Sequence, residues 1–241
     1  MFALQTLLTL AFILFPLATA SPAQRFVKGL DTGDLVALSD LKSAYKEGFV
    51  HVVFRGYQEV GKGRVDPNFL TNYRNAKTAK MSVDAFWFPC SGKERNCKPY
   101  EQQVIELLDY IKVHDMDINR VWLDYELSGT DNYNYGRTNG GNLAQAKEMA
   151  AALEKHYPRF GIYCSPGEWF NMFGSFGAVV NNKVPLWWAS WDDKSSYEEM
   201  KHVFPAFGGW TDENLIVGKQ YTNESSLHYL RDFDLNVFLN P

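Results

Sequence analysis

With 241 residues, 46% of them hydrophobic and 22% charged, the chain holds enough apolar material for one sizeable core and is too apolar for a disordered segment. A net charge of -4 excludes the basic stripe with which proteins meet nucleic acid, and excludes an antimicrobial that works by cationic charge alone. Aromatic residues reach 15%, with Trp at 7 and Tyr at 13, a surplus suited to sugar rings, whose C–H faces stack on aromatic planes.

Residues 1–20 read as a secretory signal peptide. They carry no charge, Leu7 to Leu17 is a nearly unbroken apolar run, and Ala18-Thr19-Ala20 offers a small-x-small cleavage pattern, although Met1 to Leu8 lacks the usual basic residues. The apolar run falls short of the roughly 20 residues that span a bilayer, and no later stretch is longer. The reading is therefore a secreted protein without stable membrane association. Residues 21–241 show no repeat, linker or low-complexity tract and form one expected domain, a monomer.

Strand and helix patterns then alternate. Phe26 to Asp31 reads as a strand, Leu38 to Glu47 as a helix, and Phe49 to Arg55 as a buried strand. Phe69 to Lys80 is helical, Met81 to Phe88 a third strand, and Tyr100 to His114 an amphipathic helix with Val104, Leu107, Leu108 and Ile111 on one face. Asn119 to Tyr125 is a fourth strand, Asn142 to His156 an Ala-rich helix stopped by Pro158, and Phe160 to Cys164 a fifth strand. Pro185 to Ser190, Leu215 to Tyr221 and Phe233 to Leu239 look like strands without full helices between them. The order predicts an α/β fold, a modified TIM-like (β/α) barrel whose late strands lack helices. A doubly wound open sheet is the alternative, and no Gly-rich phosphate loop supports it.

The three cysteines cannot all pair within the chain. Cys90 and Cys97 stand seven apart in a charged, Gly- and Pro-containing loop and read as a local disulfide, leaving Cys164 as a buried thiol. No His stands at ligand spacing from them, so no metal site and no cofactor are expected. Asn223-Glu224-Ser225 is a glycosylation sequon consistent with secretion.

In a parallel barrel, catalytic groups gather at the carboxyl ends of the strands. Here the first strand ends at Asp31, the fourth at Asp124-Tyr125-Glu126, and the last carries Asp232 and Asp234. Residues i and i+2 of a strand share a side, so Asp124 and Glu126 point together, about 6.6 Å apart at about 3.3 Å per residue. Two carboxyls so placed drive their pKa values apart, leaving one protonated and one ionised, the division of labour that glycoside hydrolysis needs. An arbitrary D-x-E is more often a surface pair; this one follows the apolar Val121-Trp122-Leu123 and so emerges from a buried strand.

The chain resembles the lysozymes of glycoside hydrolase family 25, the Chalaropsis-type muramidases, and in particular their small secreted eukaryotic branch. The resemblance runs from about Gly29 to Asn236 and is carried by Gly29-Leu30-Asp31, Phe88-Pro89-Cys90, Trp122-Leu123-Asp124-Tyr125-Glu126 and Gly161-Ile162-Tyr163. It continues through Pro185-Leu186-Trp187-Trp188-Ala189, Phe207-Gly208-Gly209-Trp210, Lys219-Gln220-Tyr221 and Asp234-Leu235-Asn236. It implies hydrolysis of the β-1,4 bond between N-acetylmuramic acid and N-acetylglucosamine in bacterial peptidoglycan. Glu126 matches the family's proton donor, and Asp124, Asp31 and Asp234 match its other catalytic acids. Tyr163, Trp188, Phe86 and Gln220 fall at positions expected to line the sugar cleft. The resemblance favours retention of configuration, with the substrate's acetamido group as a candidate nucleophile held by Asp124.

Two departures stand out. The family's Asp-x-Ser is Asp31-Thr32-Gly33 here, and a common third-strand tyrosine is Phe86, which removes a hydroxyl beside the substrate. Two rival readings fit the residues less well. A chitinase with D-x-x-D-x-D-x-E would need acids where the chain has Asn119 and Trp122, and a sugar binder that had lost catalysis would lack Asp124 or Glu126.

Overall fold

A computed structural model of the chain describes residues 26–92, 96–126, 138–196, 206–223 and 233–240. The signal peptide expected over 1–20 lies outside these residues, as do Asp232 and the end of the sequon, while Asn223 is exposed.

Strand β1 (Phe26–Thr32) starts the sheet and is followed by α1 (Leu38–Lys46), β2 (Phe49–Gln58) and a two-residue β3 (Arg64–Val65). Then come α2 (Phe69–Thr78), β4 (Ser82–Trp87), α3 (Tyr100–Val113), β5 (Val121–Asp124), α4 (Asn139–His156) and β6 (Phe160–Cys164). The chain ends through α5 (Pro166–Phe173), β7 (Leu186–Ala189), β8 (Ile216–Gln220) and β9 (Asp234–Leu239). The sheet order is β1-β9-β8-β7-β6-β5-β4-β2-β3, and β1 also pairs with β2, so eight strands close into a barrel and β3 hangs on β2 as a hairpin. Closure rules out the open doubly wound sheet. Pairings from β1 round to β8 are parallel, and β9 runs antiparallel to both its neighbours.

Two apolar layers hold the barrel. The outer one lies between strands and helices. Leu41 and Ala44 of α1, Phe69 and Ala76 of α2, and Val104, Leu107 and Ile111 of α3 bury against outward residues such as Val52, Phe54, Leu123 and Ile162. Met149, Ala150 and Leu153 of α4 complete it. The inner layer fills the barrel with Val53, Trp122, Tyr163, Trp187 and Phe238. Trp122 and Trp187 meet edge to face at 5.6 Å, and Tyr163 lies 4.4 Å from Trp187. So crowded an interior needs gaps elsewhere: a Cβ on Gly161 would stand 2.4 Å from the Trp122 ring.

The strands and helices expected from the sequence recur within a few residues of their predicted ends. Two elements escaped that reading. β3 is too short to carry a period, and α5 is an eight-residue helix squeezed between strands. The α5 signals are local: Ser165 accepts a hydrogen bond from the Glu168 N–H at 3.0 Å, Pro166 occupies the first turn, and Gly174 ends the helix at φ 70°.

Cys90 and Cys97 are bonded, with Cα atoms 5.6 Å apart, and Cys164 is free and buried. The fully buried Gln103 clamps the bridged loop. Its Oε1 accepts from the Cys90 N–H at 3.0 Å, and its Nε2 donates to the carbonyls of Cys90 and Lys98 at 3.0 and 2.8 Å.

Candidate active site

Strand alternation decides which side chains reach the barrel mouth. On β5, Asp124 faces in, and Tyr125 faces out, where its hydroxyl donates to the Asn142 carbonyl and to Gln145. Glu126, just past the strand end, faces in again. Asp31 sits near the end of β1. Asp234 opens β9, and because β9 is antiparallel its first residue arrives at the rim where the parallel strands end, paired in register with Asp31. The four acids line one cleft of about 420 Å³, together with Phe86, Phe88, Tyr163, Trp187, Gln220 and Arg55.

A hydrogen-bond chain fixes the acids on the β1–β9–β8 side. Gln220 Nε2 donates to both Asp31 oxygens at 3.1 and 3.2 Å and to Asp234 Oδ2 at 3.0 Å. Gln220 Oε1 accepts from the Tyr163 hydroxyl at 2.7 Å and from Trp191 Nε1 at 2.9 Å, which sets the direction of its amide. Asn236, two residues along the same face of β9, donates to Asp31 at 2.6 Å and accepts from Trp187 Nε1 at 2.8 Å. Asp124 differs from these: its Oδ1 is buried with no hydrogen-bond partner among the described residues, an acceptor left for something that enters the cleft.

Burial of these carboxyls favours the protonated form. Burial pushes Glu126 up to about 8, and the neighbouring charges of Glu168 and Asp234 add to it. Burial likewise raises Asp124, followed by the charges of Glu126 and Asp31, and raises Asp31, followed by Asp234, against the donors Asn236 and Gln220. The cluster therefore carries fewer negative charges than carboxyls near neutral pH. Tyr163 is also held well above its usual range by burial, so its hydroxyl stays a donor.

Phe86, Tyr163 and Gln220, expected on the cleft, line it. Trp188 does not. Its ring is buried in the outer layer with the Lys219 ammonium 5.5 Å from its centre, and Trp187 takes the cleft instead. In a pair of adjacent tryptophans a one-residue shift exchanges the faces, and the sequence pattern does not fix that register. The sequence reading also passed over Arg55, Glu168 and Asn236. Arg55 and Asn236 had a usable signal, the first as a cation closing an apolar strand, the second at i+2 from Asp234. Glu168 had none beyond the Ser165-Pro166 helix start. No group of three or more potential metal ligands occurs among the described residues.

A family model described as Lysozyme-like protein 1 matches residues 23–221. The chain is 28% identical over 213 residues to probable GH family 25 lysozyme 4 of Dictyostelium discoideum, covering 88% of this chain and 90% of that one. It is 26% identical over 184 residues to lysozyme-like protein 5 of Caenorhabditis elegans, covering 76% and 79%. Among solved structures, a family GH25 lysozyme from Aspergillus fumigatus shares the fold at TM-score 0.65 and 17% identity, covering 90% of this chain and 95% of that one. A muramidase from Trichobolus zukalii does so at TM-score 0.62 and 18% identity, covering 89% and 94%. The chain belongs to the lysozyme-like protein 1 family and, with it, to the glycoside hydrolase family 25 lysozymes.

Proposed function

We propose that this glycoside hydrolase is a secreted muramidase that cuts the β-1,4 bond between N-acetylmuramic acid and N-acetylglucosamine in bacterial peptidoglycan. The observation that carries the reading is the convergence of Asp31, Asp124, Glu126 and Asp234, from three distant stretches of chain, on one cleft walled by Tyr163 and Trp187. Glu126 is the proton donor. It gives its proton to the glycosidic oxygen as the C1–O bond breaks and the electron pair leaves with that oxygen. The substrate's acetamido oxygen closes on C1, with its N–H held by the unpartnered Oδ1 of Asp124. Water then opens the resulting ring and returns a proton to Glu126, so configuration is retained. Asp31 and Asp234, fixed by Gln220 and Asn236, share the negative charge left on their side of the cluster and face it to the oxocarbenium-like centre.

The test is a turbidity assay on purified bacterial cell walls with the products identified. New reducing ends must be N-acetylmuramic acid. N-acetylglucosamine ends would make the enzyme another glycosidase, and binding without products would make it a sugar binder. Secretion rests on residues 1–20. Protein recovered from the medium of expressing cells should begin near Ser21, and retention in the cell with Met1 in place would refute it. The enzyme acts as a monomer without stable membrane contact.

A further inference from the structure

One group in the cleft has no step of its own in the chemistry above, although its charge acts on Asp124 and favours the ionised form there. Arg55 is the only cation among the described residues that line the cleft, where the other charged side chains are Asp31, Asp34, Asp124, Glu126 and Asp234. It is held firmly. Its Nε donates to Asp66 Oδ2 at 2.6 Å and its Nη2 to the Gly33 carbonyl at 3.1 Å. Asp66 is itself 1% exposed, with its second oxygen taken by the Asn68 N–H at 2.8 Å. A guanidinium has five N–H donors, so three remain that no described residue accepts, on a side chain 30% exposed at the mouth.

The surrounding backbone is shaped to place this group. The β2–β4 register shifts between Arg55 and Tyr57, a bulge immediately after Arg55 of the kind that re-aims a side chain at a site. Arg55 pairs with Phe86 across that ladder, so it stands beside the position where the expected tyrosine hydroxyl is missing. A Cβ on Gly33 would lie 2.5 Å from both Cζ and Nη1 of Arg55. The glycine that replaces the expected serine is the space the guanidinium fills, so the two departures from the family pattern adjoin one side chain.

We propose that Arg55 is a specificity-determining residue that takes a carboxylate of the substrate on its uncommitted N–H groups. A neutral sugar chain gives a rigidly held guanidinium nothing to pair with, and an anionic chain entering this acid-lined cleft is repelled unless a cation receives it. Arginine's planar fork matches a carboxylate with two parallel bonds. The proposal rests on the muramidase reading, which supplies an acidic substrate. That carboxylate has two sources, the lactyl group of muramic acid in stem-free glycan and the acids of the peptide stem.

The experiment compares KM for stem-free glycan strands with free lactyl carboxylates against the same strands methyl-esterified. In parallel it compares intact peptidoglycan with peptidoglycan whose stem carboxylates are amidated. The wild-type enzyme should prefer one acidic member by about tenfold in KM, and the pair that shows the preference identifies the source. In the double variant Arg55→Gln, Asp66→Asn, which leaves no buried carboxylate unpaired, that ratio should fall toward one, with KM moving more than kcat. Arg55→Lys, which keeps the charge and loses the fork, should fall between. The wild-type comparison needs no variant, so misfolding cannot mask the result. Equal KM within both pairs, or a preference that survives the double variant, overturns the role of Arg55 and leaves the muramidase reading standing. Failure of the wild type to release muramic acid ends from any of the four substrates overturns both.

Discussion

At the scale of single residues, the proposed donor role of Glu126 makes its protonation the quantity on which turnover would depend. With its pKa pushed to about 8, the group is protonated over the neutral range and gives up its proton as pH rises through that value. Rates of cell-wall hydrolysis should therefore decline on the alkaline side near pH 8; a profile flat to pH 10 would remove Glu126 from the donor role. Glu126→Gln should lower hydrolysis at least about 10²-fold while titrations with peptidoglycan fragments still show binding, because Tyr163 and Trp187 are untouched. The same shift has a stability consequence of opposite sign. The folded state holds the proton more tightly than the unfolded chain, so stability falls as pH rises from about 4.5 to about 8. Glu126→Gln should then melt above the wild type at pH 8, by on the order of 1 kcal/mol after allowing for solvent screening, and alongside it at pH 4. The shared side of Asp124 and Glu126 was legible in the sequence because i and i+2 on a strand point the same way, while Asp31 and Asp234 came from their places at strand ends and from the family resemblance. The cleft tryptophan was not, since Trp187 and Trp188 have the same composition and opposite faces.

At the scale of elements, β5 and β6 show how small residues make room for the site. Gly161 lies on β6 beside Trp122 on β5, in register, and its missing side chain is where the Trp122 ring lies. The Pro185 carbonyl stands 2.8 Å from the same Cβ position, so the strand cannot shift away. Gly161→Ala should cost about 1–3 kcal/mol by overpacking, read as a lower midpoint in denaturant, and should lower activity too, because Tyr163 is two residues along the same strand. An unchanged midpoint would mean that the interior is looser than these distances imply. α5 contributes at this scale as well. Ser165 turns the chain out of β6 directly into a helix, and that tight turn brings Glu168 near enough to Glu126 to raise it. A period-based reading passes over a helix of two turns, whereas its cap and its Pro166 were visible one residue at a time.

At the scale of the whole molecule, the antiparallel β9 closes the barrel and delivers Asp234 beside Asp31. Gln220 joins β8 to both, so one amide ties three strands at the seam. Gln220→Leu should leave acceptors of both acids underused, at about 1–3 kcal/mol in thermal stability, and should depress turnover by releasing Asp31 and Asp234. Activity and melting temperature both equal to wild type would show that Asn236 alone is enough. Alternating apolar strands and helices determined the barrel, since each needs a partner to bury its apolar face, and strand-end acids pointed to the cleft in which Asp31, Asp124, Glu126 and Asp234 meet. The Cys90–Cys97 bridge was readable for a similar reason, because a short loop leaves few geometries. Sequence could not decide the direction of β9, the face taken by Trp187, or the meeting of Arg55 with Gly33. Each of these depends on contacts between segments far apart in the chain, and local propensity and period carry no information about which distant surface a side chain will meet.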